Sequence, residues 1–340
     1  MTWFRTLRVA VIGCGAVGSR RARAAHQHEG SNVVCVVDTH HNAAKQLSEE
    51  IGSNMEHDWH SVVNDTGVDV VCVATPNSLL ADIAIAALRA GKHVLVEKPM
   101  GRNLREAQSI VDEASSSSGL LKVGFNHRYH PAIQRAYELY ENGVIGNIIN
   151  IRGRYGHGGR PGYENEWRCD PVIAGGGEVL DQGAHLVDLL HWFLGVPVKA
   201  VSFLQTATWP IHPLEDNGFA LFQFEDGQVA SIHSSWSQWK SLFSFEIFGT
   251  NGSITIQGLG GSYGPEVLTL ATRRQESATP ELETTEWEQT DDSWMKEWDE
   301  FLFAVHDGEP YHGTPEDGIS AMRMIDSIYR SANTGQIISL

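Results

Sequence analysis

The sequence predicts an α/β protein in which a doubly wound parallel sheet is followed by an α+β domain with a large, mostly antiparallel open sheet. Two observations predict this class: the first 125 residues alternate apolar strands with helices, and from about residue 147 strands follow one another with few helices between them. Near-continuous apolar strands separated by helices indicate a parallel sheet covered on both faces. We therefore expect two domains, 1–125 and 126–340, and leave open whether the C-terminal helix 315–333 packs back on the first domain.

The first half alternates predicted strands with predicted helices. Its predicted strands are 8–12, 32–38, 68–76, 92–99 and 120–126. Its predicted helices are 16–28, 42–51, 58–64, 78–90 and 104–117. Gly91 stands where a glycine ends a helix, and Asn103 with Glu106 forms the start of a capping box for the last helix.

In the second half, turn sequences such as EDG and GTNG separate the apolar runs. The predicted strands are 147–156, 198–208, 218–224, 228–236, 243–249 and 252–257. The predicted helices are 131–142, 178–194, 293–307 and 315–333. We interpret the acidic stretch 276–292 as a solvated strand or loop.

Composition excludes several classes of partner. The chain has 340 residues, 41% of them hydrophobic, and a formal net charge of −17, so its surface should repel nucleic acid and anionic lipid. We expect no membrane span. The four cysteines lack a CxxC spacing, and we predict reduced thiols and a cytoplasmic location. The sixteen histidines come without an HExxH or cysteine–histidine cluster, so we predict no metal site.

The turn GCGAVG (13–18) fits the pattern G-x-G-x-x-G between a strand and a helix. Gly13 permits the tight turn, Gly15 lets a pyrophosphate approach the backbone, and Gly18 allows close packing of helix on strand. Asp38 closes the second strand, where a carboxylate accepts hydrogen bonds from ribose hydroxyls. The combination predicts a dinucleotide-binding Rossmann domain. The residues expected around the phosphates are Gly13, Gly15, Ala16, Val17 and Gly18.

Asp38 also indicates which dinucleotide binds. The residues that follow it are Thr39, His40 and His41, with no arginine to hold a 2′-phosphate. We therefore predict NAD, with NADP the less favoured cofactor. The alternative for Asp38 is a helix-capping or turn aspartate.

The segment EKPMG (97–101) places Glu97, Lys98 and Pro99 directly after an apolar strand. One interpretation is a solvated loop. The other is a lysine held at the carboxyl edge of a parallel sheet, where ligands of open α/β folds bind.

The segment 175–195, GGGEVLDQGAHLVDLLHWFLG, carries Asp181 and His185, four residues apart on a predicted helix. A histidine oriented by a carboxylate is a competent general base near neutral pH. The alternative is a packing histidine that pairs with Asp181 or Asp188 for structural reasons.

Taken together, GCGAVG, Asp38, ATPN (74–77), EKPMG and the segment 175–195 resemble the glucose–fructose oxidoreductase / inositol dehydrogenase (Gfo/Idh/MocA) family, over essentially the whole chain and in the family's order. The resemblance implies a nucleotide domain followed by an open-sheet domain that often forms the oligomer interface. It implies catalytic roles for Lys98, Asp181 and His185. It also suggests a cis peptide between Lys98 and Pro99. The further residues that we predict to contact cofactor are Thr75, Pro76, Asn77 and Glu97.

On the substrate side, residues 152–168 hold four arginines among aromatic side chains. Arginines suit an anionic group and aromatic rings suit a sugar face. The equally weighted alternative is that the arginines bridge carboxylates of the protein. The residues predicted to contact substrate, besides Asp181 and His185, are Asn126, Arg128, Tyr155, Trp167 and Arg168.

These features predict an NAD-dependent dehydrogenase that oxidises a secondary hydroxyl of a sugar, cyclitol or nucleotide-linked sugar, with Lys98 and His185 in acid/base roles. Two alternatives stay open: an NAD-dependent glycosidase of similar fold, and a non-catalytic NAD sensor. We also expect a homodimer or homotetramer joined through the second domain's sheet. That expectation rests on its aromatic residues, which could instead be ordinary core: Trp236, Trp239, Phe243, Phe245 and Phe248.

Overall fold

The fold is taken from a computed structural model, in which residues 5–273, 279–288 and 291–340 are described. The chain divides into two compact units. The first unit comprises residues 1–126, 172–175 and 294–319, and the second comprises 127–171, 176–293 and 320–340. The prediction had assigned residues 172–175 and 294–319 to the second domain. No helix among the described residues has the length and apolar character needed to cross a membrane.

The first unit is built on a parallel sheet with the strand order β3-β2-β1-β4-β5-β6. Its strands are β1 Leu7–Ile12, β2 Ser31–Val37, β3 Asn54–Glu56, β4 Val70–Val73, β5 His93–Glu97 and β6 Leu121–Gly124. The order reverses beside β1, which pairs in parallel with β2 on one side and β4 on the other. Ligands of such sheets bind outside the carboxyl ends of the strands at this switch point, so the end of β1 is the expected position for a dinucleotide.

The helices of the described residues follow the predicted order, with differences in detail. They are α1 Ala16–Gln27, α2 His41–Ile51, α3 Trp59–Val63, α4 Asn77–Arg89, α5 Leu104–Ser116, α6 Pro131–Glu141, α7 Pro171–Ala174, α8 Glu178–Asp181, α9 Gly183–Leu194, α10 Ser293–Asp307 and α11 Pro315–Thr334. The prediction of one helix over 178–194 is wrong, because α8 ends at Asp181 and a new helix starts after Gln182.

The ends of α5 follow from local chemistry. The Asn103 side chain accepts a hydrogen bond from the backbone N–H of Glu106, which satisfies one of the donors that a helix start leaves without a helical partner. In return, the Glu106 carboxylate accepts hydrogen bonds from Arg102. The predicted cap is therefore confirmed, although Glu106 uses its carboxylate on Arg102.

The core of the first unit draws residues from both ends of the chain. Side chains of β1, α1 and β2 pack with Trp298, Phe301 and Leu302 of α10, which are fully buried. The Trp298 indole N–H donates to Ser31 Oγ at 3.0 Å. Helix α10 therefore completes the first unit, although it lies about 170 residues beyond the last strand of that unit's sheet.

The second unit contains a nine-stranded sheet with the order β14-β13-β12-β11-β7-β10-β9-β8-β15. Its strands are β7 Ile148–Gly156, β8 Lys199–Gln205, β9 Asn217–Gln223, β10 Val229–Ser235, β11 Leu242–Gly249, β12 Gly252–Gln257, β13 Glu266–Thr272, β14 Glu281–Trp287 and β15 Ile338–Ser339. All described neighbours are antiparallel except β7 and β10, which confirms the predicted sheet type. Strand β14 lies within the acidic stretch 276–292, of which 276–278 and 289–290 lie outside the described residues.

The five aromatic residues on which the oligomer prediction rests differ in burial, and Phe248 is half-buried. Trp236, Phe243 and Phe245 are at most 2% exposed and belong to the core. Trp239 is 71% exposed. Exposed apolar residues of the sheet that were not predicted from the sequence include Phe203, Phe219, Leu221 and Val229.

Candidate active site

The glycine turn after β1 has the geometry that a phosphate-binding loop needs. Gly13 has φ +101°, in the left-handed region that side chains rarely adopt, and a Cβ there would overlap the carbonyl group of Ala74. A Cβ on Gly18 would overlap the carbonyl of Gly13. By contrast, a Cβ on Gly15 would meet nothing within 4 Å. The first and last glycines are therefore needed for packing, and Gly15 faces open space that a ligand can use.

Two further observations show that this end of the sheet fits a dinucleotide. Helix α1 begins after Gly15 with no side-chain cap and no acidic residue in its first turn, so Ala16 and Val17 lie in a turn whose N–H groups suit phosphate. The buried hydroxyl of Thr75, just after β4, has no hydrogen-bond partner among the described residues. A buried hydroxyl normally has one, and a bound ligand would supply it.

Asp38 lies directly after β2 and holds the glycine turn. Its Oδ2 accepts a hydrogen bond from the backbone N–H of Cys14 at 2.7 Å, and its Oδ1 accepts one from His40 at 2.8 Å. Each carboxylate oxygen has a second lone pair. Asp38 can therefore serve as a turn aspartate and still accept from a ribose hydroxyl.

The ATPN segment forms the start of α4. Pro76 is the residue before the helix and Asn77 is its first residue. The Asn77 side chain is buried and donates to the carbonyl oxygen of Ala174 at 2.9 Å. Asn77 thus has a structural partner within the first unit, which the sequence did not reveal.

Glu97, the last residue of β5, belongs to a buried ion network. Arg21 of α1, fully buried, donates to Glu97 Oε1 at 2.6 Å and also pairs closely with Glu297 of α10. Burial raises the pKa of Glu297, against the opposing effect of Arg21. Gly124, at the end of β6, makes room for Arg21, since a Cβ there would overlap the guanidinium. Arg21 was not predicted from the sequence, because an arginine in an amphipathic helix normally lies on the protein surface.

Lys98 follows Glu97 and is partly buried at the carboxyl end of the parallel sheet. The peptide between Lys98 and Pro99 is cis, which confirms that prediction. The strand before Lys98 is held through Glu97 by the buried arginine. Lys98 is therefore a cation on a rigid support at the edge where ligands of this sheet class bind.

In the second unit, His185 is 5% exposed and lies in the first turn of α9. Its ring stacks on His127, with centroids 3.5 Å apart and planes 17° from parallel. The Tyr155 hydroxyl lies 3.5 Å from His127 Nε2. Burial raises the pKa of Tyr155 well above its ordinary value, and a hydrogen bond to Tyr263 adds to this. Tyr155 is therefore close to the predicted base, whereas His127 was not predicted.

Asp181 pairs with Arg168, whose Nε lies 3.2 Å from Asp181 Oδ2. The Arg168 guanidinium also lies 4.5 Å from the centre of the Trp167 ring. The structure therefore brings together Asp181, Arg168 and Trp167, three residues predicted to contact substrate, in one group of the second unit.

The other arginines of segment 152–168 also meet carboxylates. Arg152 and Arg154 lie 3.9 Å and 4.0 Å from Glu246, and Arg160 pairs with Glu166. This arrangement favours the alternative in which these arginines bridge carboxylates of the protein.

Arg128 is 2% exposed and forms a bidentate ion pair with Asp188 of α9. Its Nη2 donates to Oδ1 at 2.6 Å and its Nε donates to Oδ2 at 3.0 Å. Asp188 was considered as a partner for His185, and its described partner is Arg128. Asn126, the last residue of the first segment of the first unit, is buried.

A buried carboxylate supports α8. Glu215 Oε1 accepts from the backbone N–H groups of Gly177 and Val179 and from the Tyr329 hydroxyl, the last at 2.7 Å. Burial raises the pKa of Glu215 despite these donors. Because α8 carries Asp181, Glu215 fixes the backbone from which that side chain projects. Among the described residues, no group of three or more His, Cys, Asp or Glu side chains could hold a metal ion.

Two family models match this chain. The model described as an oxidoreductase family with an NAD-binding Rossmann fold matches residues 7–125, and the GFO/IDH/MocA C-terminal domain matches residues 133–255. Together they cover well over half of the chain. The chain belongs to the GFO/IDH/MocA family.

Named relatives of this GFO/IDH/MocA protein include two sugar dehydrogenases. A levoglucosan dehydrogenase of Pseudarthrobacter phenanthrenivorans is 32% identical over 59% of this chain and 58% of the relative. A D-xylose 1-dehydrogenase (NADP(+)) of Haloferax volcanii is 26% identical over 97% of this chain and 98% of the relative. The structure of a levoglucosan dehydrogenase in complex with NADH and levoglucosan superposes with a TM-score of 0.89 at 25% identity, covering 98% of this chain and 99% of that one.

These comparisons confirm the predicted GFO/IDH/MocA family, the α/β fold and the class of NAD-dependent oxidoreductases acting on CH–OH groups. The NAD prediction agrees with the family description and with the NADH-bound neighbour, although the xylose dehydrogenase is named for NADP(+).

Proposed function

We propose that this protein oxidises a secondary hydroxyl of a neutral sugar or cyclitol, with Lys98 and His185 in acid/base roles. The observation that carries the proposal is the placement of Lys98 directly after β5, at the ligand-binding edge of the dinucleotide sheet. The names of the relatives support the substrate class, since they include dehydrogenases of levoglucosan, xylose and inositol.

NAD, when bound, supplies the electron acceptor for this oxidation. His185 takes the hydroxyl proton of the substrate, which requires its nitrogen within ~2.6–3.2 Å of that oxygen or one water between them. Lys98 donates a hydrogen bond to the same oxygen and stabilises negative charge there. Asp181, anchored by Arg168 at 3.2 Å, orients His185 or a substrate hydroxyl.

The proposal favours neutral substrates over nucleotide-linked sugars. A free arginine near the site would suit a diphosphate. The four arginines of segment 152–168 each lie within 4.0 Å of a carboxylate oxygen, with Arg152 and Arg154 sharing Glu246. A nucleotide-linked sugar would have to compete with these pairs.

We propose that the residues predicted from the sequence bind the cofactor and the substrate. The cofactor set is Gly13, Gly15, Ala16, Val17, Gly18, Asp38, Thr75, Pro76, Asn77, Glu97 and Lys98. The substrate set is Asn126, Arg128, Tyr155, Trp167, Arg168, Asp181 and His185. Within these sets, Glu97 and Arg128 act through buried ion pairs with Arg21 and Asp188. The matching functional division is a cofactor domain 1–125 and a substrate and oligomerisation domain 126–340, of which residues 172–175 and 294–319 belong to the first compact unit.

The proposal is tested by screening neutral sugars and cyclitols with NAD for sustained NADH formation. His185→Ala and Lys98→Ala should each lower kcat by at least ~10²-fold on the substrate found, because loss of a general acid or base typically costs ~10²–10⁴. Near-normal turnover of His185→Ala would show that the histidine is structural. An NAD-dependent glycosidase would consume a glycoside without net NADH, and a sensor would bind NAD and turn over nothing.

We further propose that two or four copies associate through the exposed face of the second unit's sheet. Phe203 and Phe219 are directly opposed on β8 and β9, and Leu221 lies next to them on the same face. They are 72%, 41% and 50% exposed. Large contiguous apolar patches on a protein surface mark interaction sites.

A cytoplasmic location is proposed because all four cysteines are buried free thiols.

A further inference from the structure

The stacked pair of His127 and His185 in the second unit is a feature that the proposed chemistry does not yet use. Both rings are buried, at 4% and 5% exposure. Their centroids are 3.5 Å apart and their planes 17° from parallel, so the two faces lie in contact over most of their area. This contact joins two flat rings rather than two charged groups.

We propose that His127 is a positioning residue that sets the ring plane of His185. The proposal rests on the proposed role of His185 as a base. The χ2 torsion of histidine is broad, so a favourable rotamer alone does not fix the direction of the ring nitrogens. A flat surface against one face does, because turning the ring would force its edge into the neighbour. Stacking engages the face of His185, whereas the nitrogens with which a base works lie on its edge.

His127 is itself held from several sides. The rings of His130, Tyr155 and Phe243 meet it edge to face, with centroids 5.5, 5.2 and 6.0 Å away. Such arrangements are favourable for aromatic rings. The Tyr155 hydroxyl lies 3.5 Å from Nε2 of His127.

Tyr155 is itself packed, since it is 5% exposed and its ring lies 5.1 Å from that of Tyr263 and 5.4 Å from that of Phe243. The rings around His127 therefore limit how far it can turn or shift.

Positioning matters because proton transfer is sensitive to distance. A base must come within ~2.6–3.2 Å of the proton that it takes. Misplacement of a reacting group by ~1 Å can cost ~10²-fold in rate. If the role of His127 is to present a flat face, another flat ring of similar size should serve, and a branched aliphatic side chain of similar volume should not.

The test compares His127→Phe with His127→Leu, two apolar replacements of which only the first is flat, alongside wild type, His127→Ala and His185→Ala. With the sugar or cyclitol found in the screen, His127→Ala and His127→Leu should lower kcat by roughly 10–100-fold. The KM for NAD should stay within about twofold of wild type, because NAD affinity is separate from alignment of the base. His127→Phe should recover kcat to within about threefold of wild type.

Two results would overturn the proposal: kcat of His127→Leu equal to wild type, or kcat of His127→Phe as low as that of His127→Leu. The second result would mean that an imidazole nitrogen is required. Matching thermal unfolding midpoints for the Phe and Leu variants show that folding does not cause the difference, and the pair decides even if His127→Ala fails to fold. Full activity of His185→Ala would instead contradict the proposed function, and the role of His127 would fall with it.

Discussion

At the scale of single residues, the carboxylate of Glu215 carries a testable pH dependence. Its pKa is raised by burial, so the folded protein binds this proton more tightly than the unfolded chain. The stabilisation is complete below the unfolded pKa and is lost as pH rises through the folded pKa. Stability attributable to Glu215 therefore falls from about pH 4.5 upward.

Glu215→Gln removes this dependence and keeps a side-chain oxygen that can accept the two backbone N–H groups. We expect the free energy of unfolding of Glu215→Gln, relative to wild type, to rise between about pH 4.5 and neutrality. Urea unfolding across that range measures it. Glu225→Gln, at an exposed position, is the control, and parallel curves for Glu215→Gln and wild type would contradict the prediction.

Asp38 supports a second prediction at this scale, on cofactor choice. Its negative charge should repel a 2′-phosphate, while its oxygen holds the N–H of Cys14. Asp38→Asn removes the charge and keeps an acceptor, whereas Asp38→Ala removes both. We expect Asn to narrow the preference for NAD over NADP by roughly tenfold, equivalent to ~1.4 kcal/mol. Asp38→Ala should narrow this preference by a similar factor, and it should lower the affinity for NAD more than Asp38→Asn does.

Binding titrations with both dinucleotides measure these affinities. Wild-type protein that binds NADP more tightly than NAD would contradict the role of Asp38. Equal NAD affinities for the Asn and Ala variants would show that the contact with Cys14 contributes little.

At the scale of elements, the sequence predicted most helices and strands because their signals are local. The capping residues of α5 and the apolar runs of the parallel strands identify themselves within a few residues. Strands β3 and β15, which were not predicted, have only three and two residues. Strand β13 was also not predicted, although alternate residues along its first half are buried. Strand β14 lies in the acidic stretch that was interpreted as a solvated strand or loop, and most of its residues are exposed. The break at Gln182 has no proline to mark it.

Residues of the candidate site also differ in whether a local sequence signal marks them. The glycine turn, Asp38, Lys98, Asp181 and His185 could be proposed from the sequence because they belong to short motifs. Arg21 and His127 were missed because their partners lie far along the chain, Glu297 and His185 respectively. No local sequence pattern indicates that an arginine will be buried between two carboxylates, because its burial depends on how α1, β5 and α10 pack.

The Arg21 network predicts strong coupling between these elements. Arg21→Met leaves Glu97 and Glu297 without their shared cation, and breaking a buried ion pair from one side costs ~3–5 kcal/mol. Replacing Glu297 by Met as well should recover part of this loss, because one of the two carboxylates is then removed. Chemical denaturation of the single and double variants measures the coupling. Additive losses would contradict a network.

At the scale of the whole molecule, association through the sheet face of the second unit is the main prediction. In a two-fold dimer the same patch serves both copies. Phe219→Asp would place a charge among the apolar residues of β8 and β9 and should shift the protein toward monomer. Light scattering at micromolar concentration measures this. Val196→Asp, at a 47% exposed position outside the sheet, is the control. A monomeric wild type would refute the interface.

The return of α10 to the first unit has a consequence for synthesis on the ribosome. The last strand of that unit's sheet ends at residue 124. Trp298, which fills the core, and Glu297, which pairs with Arg21, are synthesised about 170 residues later. At ~5–20 residues per second this delay is roughly 10–30 s. During that time the nascent chain exposes an apolar face. Ribosome-bound chains that stop after residue 126 should therefore bind chaperones and be cut by protease, and those that extend beyond α10 should resist both.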